Sequence, residues 1–192
     1  ILEELRDLGS GFERSKPWRE GVLAVLAGRV NAGKSSLMNA LLGWNRAIVT
    51  DIPGTTRDYL EEVLWLNHTP FRIADTAGLR ETGDIVEQRG VERSRDLAGN
   101  ADLVILVLDA TTAPEPPELE LAAQVPDERL LPVLNKCDLL ATLEEAPCAE
   151  FQEMMRTRGL PVSRVSAATG QGLEALCERM RSLAAPERLE PA

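Results

Sequence analysis

The sequence predicts an α/β fold, a three-layer, doubly wound and mostly parallel sheet with helices on both faces. Continuous apolar runs of strand length occur at 22–27, 103–108 and 130–134, as expected for strands that are covered on both sides. Helical segments alternate with these runs, and one early hairpin at 61–66 and 71–74 adds an antiparallel pair. The remaining predicted elements are a helix after the proline-rich loop at 113–117, a strand at 161–165 and a helix at 172–183.

The length of 192 residues, 44% of them hydrophobic, suits one such domain and is too short for two of ordinary size. We expect the domain to span 21–185, preceded by a linker or helical remnant at 1–20 and followed by a tail at 186–192. Because the chain begins with Ile1 rather than methionine, we expect a fragment of a longer protein. The stretch 44–59 lacks helical periodicity and predicts a mobile loop.

Charge and cysteine content narrow the expected partners and compartment. The formal net charge of -10 weighs against tight, unaided binding to nucleic acid, because such affinity comes largely from cations that neutralise phosphates. Cys137, Cys148 and Cys177 are unevenly spaced and predict reduced thiols. The apolar runs are too short to span a bilayer, and the N-terminus lacks the cationic start of a signal peptide. We therefore expect a soluble, cytoplasmic chain without a membrane partner.

A phosphate-binding motif follows the first predicted strand. Residues 28–35 read Gly-Arg-Val-Asn-Ala-Gly-Lys-Ser, which fits G-x-x-x-x-G-K-[ST] and predicts a bound nucleoside triphosphate. Its glycines let backbone N–H groups approach the phosphate oxygens, Lys34 adds a positive charge, and Ser35 offers a hydroxyl to Mg2+. The residues expected to contact the nucleotide here are Asn31, Ala32, Gly33, Lys34, Ser35 and Ser36.

Two further segments are expected near the terminal phosphate. Asp75 ends a strand and begins Asp-Thr-Ala-Gly, where its carboxylate reaches Mg2+ through water while the Gly78 N–H meets the γ-phosphate. Thr55 and Thr56 lie in the predicted mobile loop, where a hydroxyl completes the Mg2+ shell only while the γ-phosphate is present. This arrangement predicts an order–disorder switch. The nucleotide contacts expected here are Thr55, Thr56, Asp75, Thr76, Ala77 and Gly78.

The segment 135–138, Asn-Lys-Cys-Asp, follows another strand and favours guanine over adenine. Asp138 can accept from both N1–H and the exocyclic amine of guanine, whereas adenine would leave the buried carboxylate unpaired. The stem of Lys136 can cover the base. The expected base contacts are Asn135, Lys136 and Asp138, with a backbone N–H for the guanine O6 from Ser166, Ala167 or Ala168. In this order along the chain, the motifs predict a GTPase.

The group that handles the attacking water is not settled by the residues alone. Leu79 follows the Asp-Thr-Ala-Gly motif, where Ras-like proteins carry the glutamine that orients water. An aliphatic side chain cannot do so, and hydrolysis needs another group. The charged residues that follow within reach are Arg80, Glu81, Asp84 and Glu87.

From residue 22 to about 183 the chain resembles the G domain of the MnmE (TrmE) tRNA-modification GTPases, within the TrmE/Era/EngA-like family. The resemblance rests on three stretches: 28–41, 48–58, and 75–81 with 84–87 and 90–94. It implies a Ras-like P-loop GTPase fold. The proline common in the family's phosphate loop is replaced here by Val30.

The resemblance implies roles for particular residues. Glu87 matches the family's glutamate that orients the water, beside Lys34 and Thr56 in the catalytic set. In place of an arginine finger the family uses K+, which would neutralise charge on the β–γ bridge. The matching K+ positions are Asn31, Thr50, Ile52 and Thr55, and those for Mg2+ are Ser35 and Thr56.

The resemblance also implies partners. GTP and K+ bring two G domains together as a transient homodimer, and the full enzyme modifies the wobble uridine of tRNA with the flavin protein MnmG. The family's folate-binding domain, helical domain and cysteine motif have no counterpart in these residues, so we expect GTP binding and hydrolysis without tRNA modification. The alternative is the nucleotide switch of a ribosome-assembly GTPase such as Der or Era, since those relatives share Asn31 and Leu79.

Overall fold

A computed structural model describes residues 21–44, 61–75, 99–140 and 147–184. Within these ranges the chain forms a six-stranded sheet and four α-helices. The strands are β1 (Val22–Ala27), β2 (Glu61–Leu66), β3 (Thr69–Asp75), β4 (Leu103–Asp109), β5 (Leu130–Asn135) and β6 (Ser163–Arg164). The helices are α1 (Lys34–Trp44), α2 (Pro116–Gln124), α3 (Ala149–Thr157) and α4 (Leu173–Ala184).

The strand order is β2-β3-β1-β4-β5-β6, and only the β2–β3 pair is antiparallel. The predicted doubly wound, mostly parallel sheet is therefore confirmed. Register places Leu26 of β1 opposite Asp75 of β3, and Asp109 of β4 opposite Asn135 of β5. Because parallel strands end at the same edge, the loops after β1, β3, β4, β5 and β6 gather there, as ligand-binding loops do in such folds.

β4 shows why its sequence is apolar throughout. Leu103, Ile105 and Val107 belong to one core cluster with residues of α1 and α4, whereas the intervening residues, Val104 and Leu106 among them, belong to a second cluster with α2 and α3. Every residue of the strand is buried. Helices thus cover both faces of the sheet. A strand that alternated apolar and polar residues would bury its polar side chains in one of the two clusters.

Three predicted boundaries were wrong. β3 begins at Thr69, because Asn67 and His68 both have positive φ and form a two-residue hairpin turn. α1 continues through Trp44, which the sequence assigned to a loop. β6 comprises only 163–164, rather than 161–165, and pairs through two residues of β5.

Other predictions concern residues outside the described ranges. These are the linker or helical remnant at 1–20, the loop at 45–59 and the tail at 186–192. In the described part of the chain, no helix has the length and apolarity needed to cross a membrane. The three cysteines are free thiols, and burial raises the pKa of Cys148 and of Cys177 to about 11.

Candidate functional site

Two glycines shape the loop between β1 and α1. Gly28 and Gly33 have φ values of +136° and +91°, which favour glycine. A Cβ on Gly28 would lie 2.1 Å from the Val107 carbonyl oxygen, and a Cβ on Gly33 would lie 2.3 Å from Asn135 Nδ2. Both positions therefore require glycine for the backbone angle and for space. We predicted that these glycines approach a phosphate. In the structure they also lie close to residues of the neighbouring strands β4 and β5.

Lys34 lies inside this loop. Its ammonium donates to the carbonyl oxygens of Gly28 at 2.8 Å and Arg29 at 2.7 Å, and the residue is only 5% exposed. α1 begins at Lys34, with the Leu37 N–H donating to the Gly33 carbonyl at 2.8 Å. The positive end of the helix dipole therefore adjoins a buried cation, a combination that suits an anionic ligand.

The other predicted residues of this segment divide by exposure. Ala32 is fully buried, whereas Asn31, Ser35 and Ser36 are exposed. Asn31 has φ +65°, in the left-handed region that asparagine tolerates better than most residues. Its side chain is thus presented at the surface of the loop, where the predicted cation would bind.

Ser35 and Asp75 meet although 40 residues separate them in the sequence. The Ser35 hydroxyl donates to Asp75 Oδ2 at 2.6 Å, and Asp75 is buried at the end of β3. A hydroxyl and a carboxylate offer the oxygen ligands that Mg2+ prefers, directly or through water. The residues present therefore fit the predicted magnesium site.

Asn135 joins the two sides of the site. Its Nδ2 donates to the Ala32 carbonyl at 3.0 Å, and its Oδ1 accepts from the Ala167 N–H at 3.0 Å. The side chain is 1% exposed. We predicted Asn135 as a base contact. In the structure both ends of its side-chain amide are hydrogen-bonded, and they link the loop after β1 with the loop after β6.

Lys136 follows at once and has its own partner. It has φ +66°, and its ammonium donates to Asp109 Oδ2 at 2.6 Å. Thr111 donates to the other oxygen, Asp109 Oδ1, from its N–H at 2.9 Å and its hydroxyl at 2.6 Å. Burial raises the pKa of Asp109, but the hydrogen bonds from Lys136 and Thr111 outweigh burial and hold that pKa below its usual value. The carboxylate is therefore ionised at neutral pH.

The remaining predicted base contacts lie in the loops after β5 and β6. Asp138 is exposed in a 3-10 turn at Cys137–Leu139, while Ser166 is fully buried. The Ser166 hydroxyl accepts from the Thr169 N–H at 3.1 Å, which shapes the loop. The Ala167 N–H donates to Asn135 Oδ1, and Ala168 is exposed.

Sequence reasoning missed two supports of the site. Asp109 directly follows the predicted strand at 103–108 and was given no role, because its place opposite Asn135 appears only in the sheet pairing. Arg29 was an unassigned loop residue, yet its guanidinium donates to the Thr112 hydroxyl and to Glu115 Oε1, the latter at 3.1 Å. Its backbone N–H donates to Glu118 Oε1 at 3.4 Å. No motif in the sequence indicated that contact.

Part of the predicted site lies outside the described residues. That part comprises Thr50, Ile52, Thr55, Thr56, Thr76, Ala77, Gly78, Leu79 and Glu87. It includes the predicted switch segments, which are the loop with Thr55 and Thr56 and the residues after Asp75, and the predicted catalytic Glu87. Their roles therefore stay predictions.

A sheet in this strand order, with a phosphate-loop motif after β1 and Asn-Lys-x-Asp after β5, defines a P-loop GTPase, an enzyme that hydrolyses GTP. The family described as 50S ribosome-binding GTPase matches residues 23–136. The chain belongs to this family.

Curated relatives give a finer likeness. The chain is 54% identical to the tRNA modification GTPase MnmE of Nitratidesulfovibrio vulgaris (strain DP4), an alignment that covers 100% of this chain and 40% of the relative. It is 40% identical to the MnmE of Clostridioides difficile (strain 630), with coverage of 95% and 39%. The chain thus spans about 40% of the length of these relatives.

Solved structures agree with the fold. The G domain of the FeoB iron transporter of T. maritima aligns with a TM-score of 0.58 and 29% identity, over 85% of this chain and 98% of that chain. Era of Aquifex aeolicus, a variant bound to GDP and AlF4-, aligns with a TM-score of 0.64 and 25% identity, over 87% and 57%. The predicted P-loop GTPase fold is confirmed.

Proposed function

We propose that the carboxyl edge of the sheet binds Mg2+ and GTP, with the phosphates in the loop after β1. The contact between Ser35 and Asp75 supports the metal position, since it brings a hydroxyl and a carboxylate together at 2.6 Å. The buried Lys34 ammonium supports the phosphate position. A bound phosphate would exchange one or both of the lysine's carbonyl contacts for its own oxygens. Mg2+ would supply charge neutralisation between the phosphates, with Thr56 as its second hydroxyl ligand.

We infer that the guanine base lies between Lys136 and the loop at 166–168, with Asp138 at its edge. The observation that carries this proposal is the double link of Asn135, which ties the phosphate loop to the loop after β6. Two loops fixed to one side chain keep a constant spacing, as a ligand with a base at one end and phosphates at the other requires. The exposed Asp138 carboxylate would accept from N1–H and the exocyclic amine of guanine.

For hydrolysis, we propose that Glu87 orients the water and that K+ replaces an arginine finger. The support is the sequence resemblance, together with the exposed Asn31 at the surface of the phosphate loop. Thr50, Ile52 and Thr55 would complete the K+ shell. Two G domains would associate through the predicted switch segments in the GTP state, which would shield the γ-phosphate and its attacking water from bulk solvent.

GTP turnover tests this proposal. Turnover in KCl should exceed turnover in NaCl at equal ionic strength, and should rise more than linearly with protein concentration if dimerisation completes the site. Glu87→Ala should lower kcat by at least about a hundredfold with little change in nucleotide affinity. Glu81→Ala is the matched control in the same acidic segment and should retain turnover. An active Glu87→Ala with an inactive Glu81→Ala would move the role to Glu81.

We propose that the whole protein modifies the wobble uridine of tRNA, with MnmG as its partner. The 54% identity to a tRNA modification GTPase over the full chain supports this role. The net charge of -10 supports a division of labour in which this domain makes no tight nucleic-acid contact of its own. The free cysteines agree with a cytoplasmic setting.

The second candidate is a nucleotide switch in ribosome assembly. The family description, 50S ribosome-binding GTPase, and the likeness to Era favour it. Deletion of the gene in its host separates the two candidates. Loss of the wobble-uridine modification from tRNA nucleosides, measured by mass spectrometry, would support tRNA modification. Normal tRNA nucleosides with accumulated unprocessed ribosomal RNA would support the switch.

A further inference from the structure

Asp109 and Lys136 form an ion pair where β4 and β5 end. Lys136 Nζ lies 2.6 Å from Asp109 Oδ2, and the Asp109 side chain is 10% exposed. Asp109 lies opposite Asn135 in the sheet, so Lys136 is the residue directly after its cross-strand partner. The sheet register therefore sets the pair, in contrast to exposed surface pairs, which contribute little.

Hydrogen bonds from Thr111 hold the Asp109 carboxylate in place independently of Lys136. The Thr111 N–H and hydroxyl both bond Asp109 Oδ1, at 2.9 and 2.6 Å. This leaves Oδ2 directed to Lys136. Hydrogen bonds to a charged carboxylate are among the stronger ones in proteins. Asp109 is thus a rigid anchor rather than a mobile counter-ion.

The lysine is held in a costly conformation beside the phosphate loop. Its φ of +66° is left-handed, a conformation that is unfavourable for a residue other than glycine. A Cβ placed on Gly33 would lie 3.9 Å from Lys136 Cε, so the lysine stem runs along this loop. Backbone strain that the surroundings maintain is typical of functional sites.

We infer that Asp109 is a positioning residue for guanine-nucleotide binding, which holds the Lys136 stem in place to cover the face of the base. The inference rests on the guanine site proposed above. Lys136 would cover the face while Asp138 reads the edge, so the two carboxylates have separate effects. Loss of Asp109 should weaken the binding of every purine nucleotide whose base stacks against Lys136. Loss of Asp138 should instead change which purine is preferred.

Release of fluorescent nucleotides from the purified chain, measured by stopped flow, tests the inference. Asp109→Asn keeps the side-chain shape and removes the charge, and it should release GDP and IDP roughly tenfold faster, with the ratio between them unchanged. Asp127→Asn is the matched control, because Asp127 pairs with Arg158 outside the site. Its release rates should equal those of the unmodified chain.

A second variant shows whether Asp109 acts through the lysine. Lys136→Met keeps the stem without the ammonium, and adding Asp109→Asn to it should change release less than twofold. Multiplied effects in the double variant, or Asp109→Asn release within twofold of the unmodified chain, would overturn the inference. Failure of the unmodified chain to bind GDP would contradict the proposed function itself. Normal GDP binding with unchanged release from Asp109→Asn would contradict only the inference about Asp109, so the two failures are distinguishable.

Thr111→Val covers the case in which Asp109→Asn does not fold. It removes one hydrogen bond to Asp109 Oδ1 from a half-buried loop residue and leaves both charges in place. GDP release should become about threefold faster. Unchanged release in a folded Thr111→Val would overturn the inference by itself.

Discussion

The two halves of the proposed nucleotide site are built by different means. The phosphate half, the loop after β1 with the start of α1, depends on backbone conformation, since Gly28 and Gly33 have no room for a side chain. The base half, the loops after β4, β5 and β6, depends on side chains from separate strands. Asn135 and the Asp109–Lys136 pair hold those loops together.

The difference shows what each ligand group requires. Phosphate oxygens accept hydrogen bonds from any N–H, so a chain that exposes its amides in a tight curve is sufficient. A base offers a flat face and a short row of donors and acceptors, which only particular side chains can match. Rigidity must then come from a network, and in this fold Asn135 belongs to both halves.

The largest expected effect breaks the phosphate half. Gly33→Ala places a Cβ 2.3 Å from Asn135 Nδ2 at φ +91°, and should lower GDP affinity at least about a hundredfold, as measured by isothermal titration calorimetry. Gly43→Ala is the control, because a Cβ there meets nothing within 4 Å. It should leave affinity unchanged and raise the free energy of unfolding by up to about 1 kcal/mol. Normal GDP affinity in Gly33→Ala would contradict the role of backbone shape.

The next effect changes the specificity of the base half and spares the phosphate half. Asp138→Asn presents an amide where guanine has two donors, and should weaken GDP binding by roughly a hundredfold while improving xanthosine diphosphate binding. Competition against a fluorescent nucleotide measures both. Glu150→Gln, an exposed carboxylate on α3, is the control and should behave as the unmodified chain does. A variant that still prefers GDP would remove Asp138 from the base site.

The smallest effect concerns the link between the halves. Asn135→Asp keeps an acceptor for the Ala167 N–H and loses the donor to the Ala32 carbonyl. The unfolding free energy should fall by about 1–3 kcal/mol, because a charge replaces a buried donor. GDP affinity should fall roughly tenfold, with the preference for guanine retained. Asn39→Asp on the exposed side of α1 is the control, and an Asn135→Asp chain of unchanged stability would contradict the link.

The same contrast explains what the sequence could predict. The phosphate loop was predictable because its requirements are local, two glycines and a lysine within eight residues. The contacts of Asn135 with Ala32 and of Lys136 with Asp109 join residues 103 and 27 positions apart, and no single-sequence pattern contains them. Asp109 was therefore missed, although the apolar run before it correctly predicted the strand.

The errors in the elements have a similar origin. The strand predicted at 161–165 is two residues long: Pro161 has no N–H to donate, and only Ser163 and Arg164 form the parallel ladder with β5. The turn at Asn67–His68 was predicted as a four-residue connection, since positive φ at both residues is set by the hairpin twist as much as by residue type. Apolar runs predicted β1, β4 and β5 well, because residues of each of these strands belong to both core clusters.

If the two halves form one site for a guanine nucleotide, a single titration series measures the contribution of each. GDP, ADP and GMP would compete with a fluorescent GDP on the unmodified chain in the presence of Mg2+. We expect ADP to bind at least about a hundredfold more weakly than GDP, because adenine would leave the Asp138 carboxylate unpaired. GMP should bind at least as weakly, because it lacks the β-phosphate. ADP binding within tenfold of GDP would contradict the base half, and GMP binding within tenfold would contradict the phosphate half.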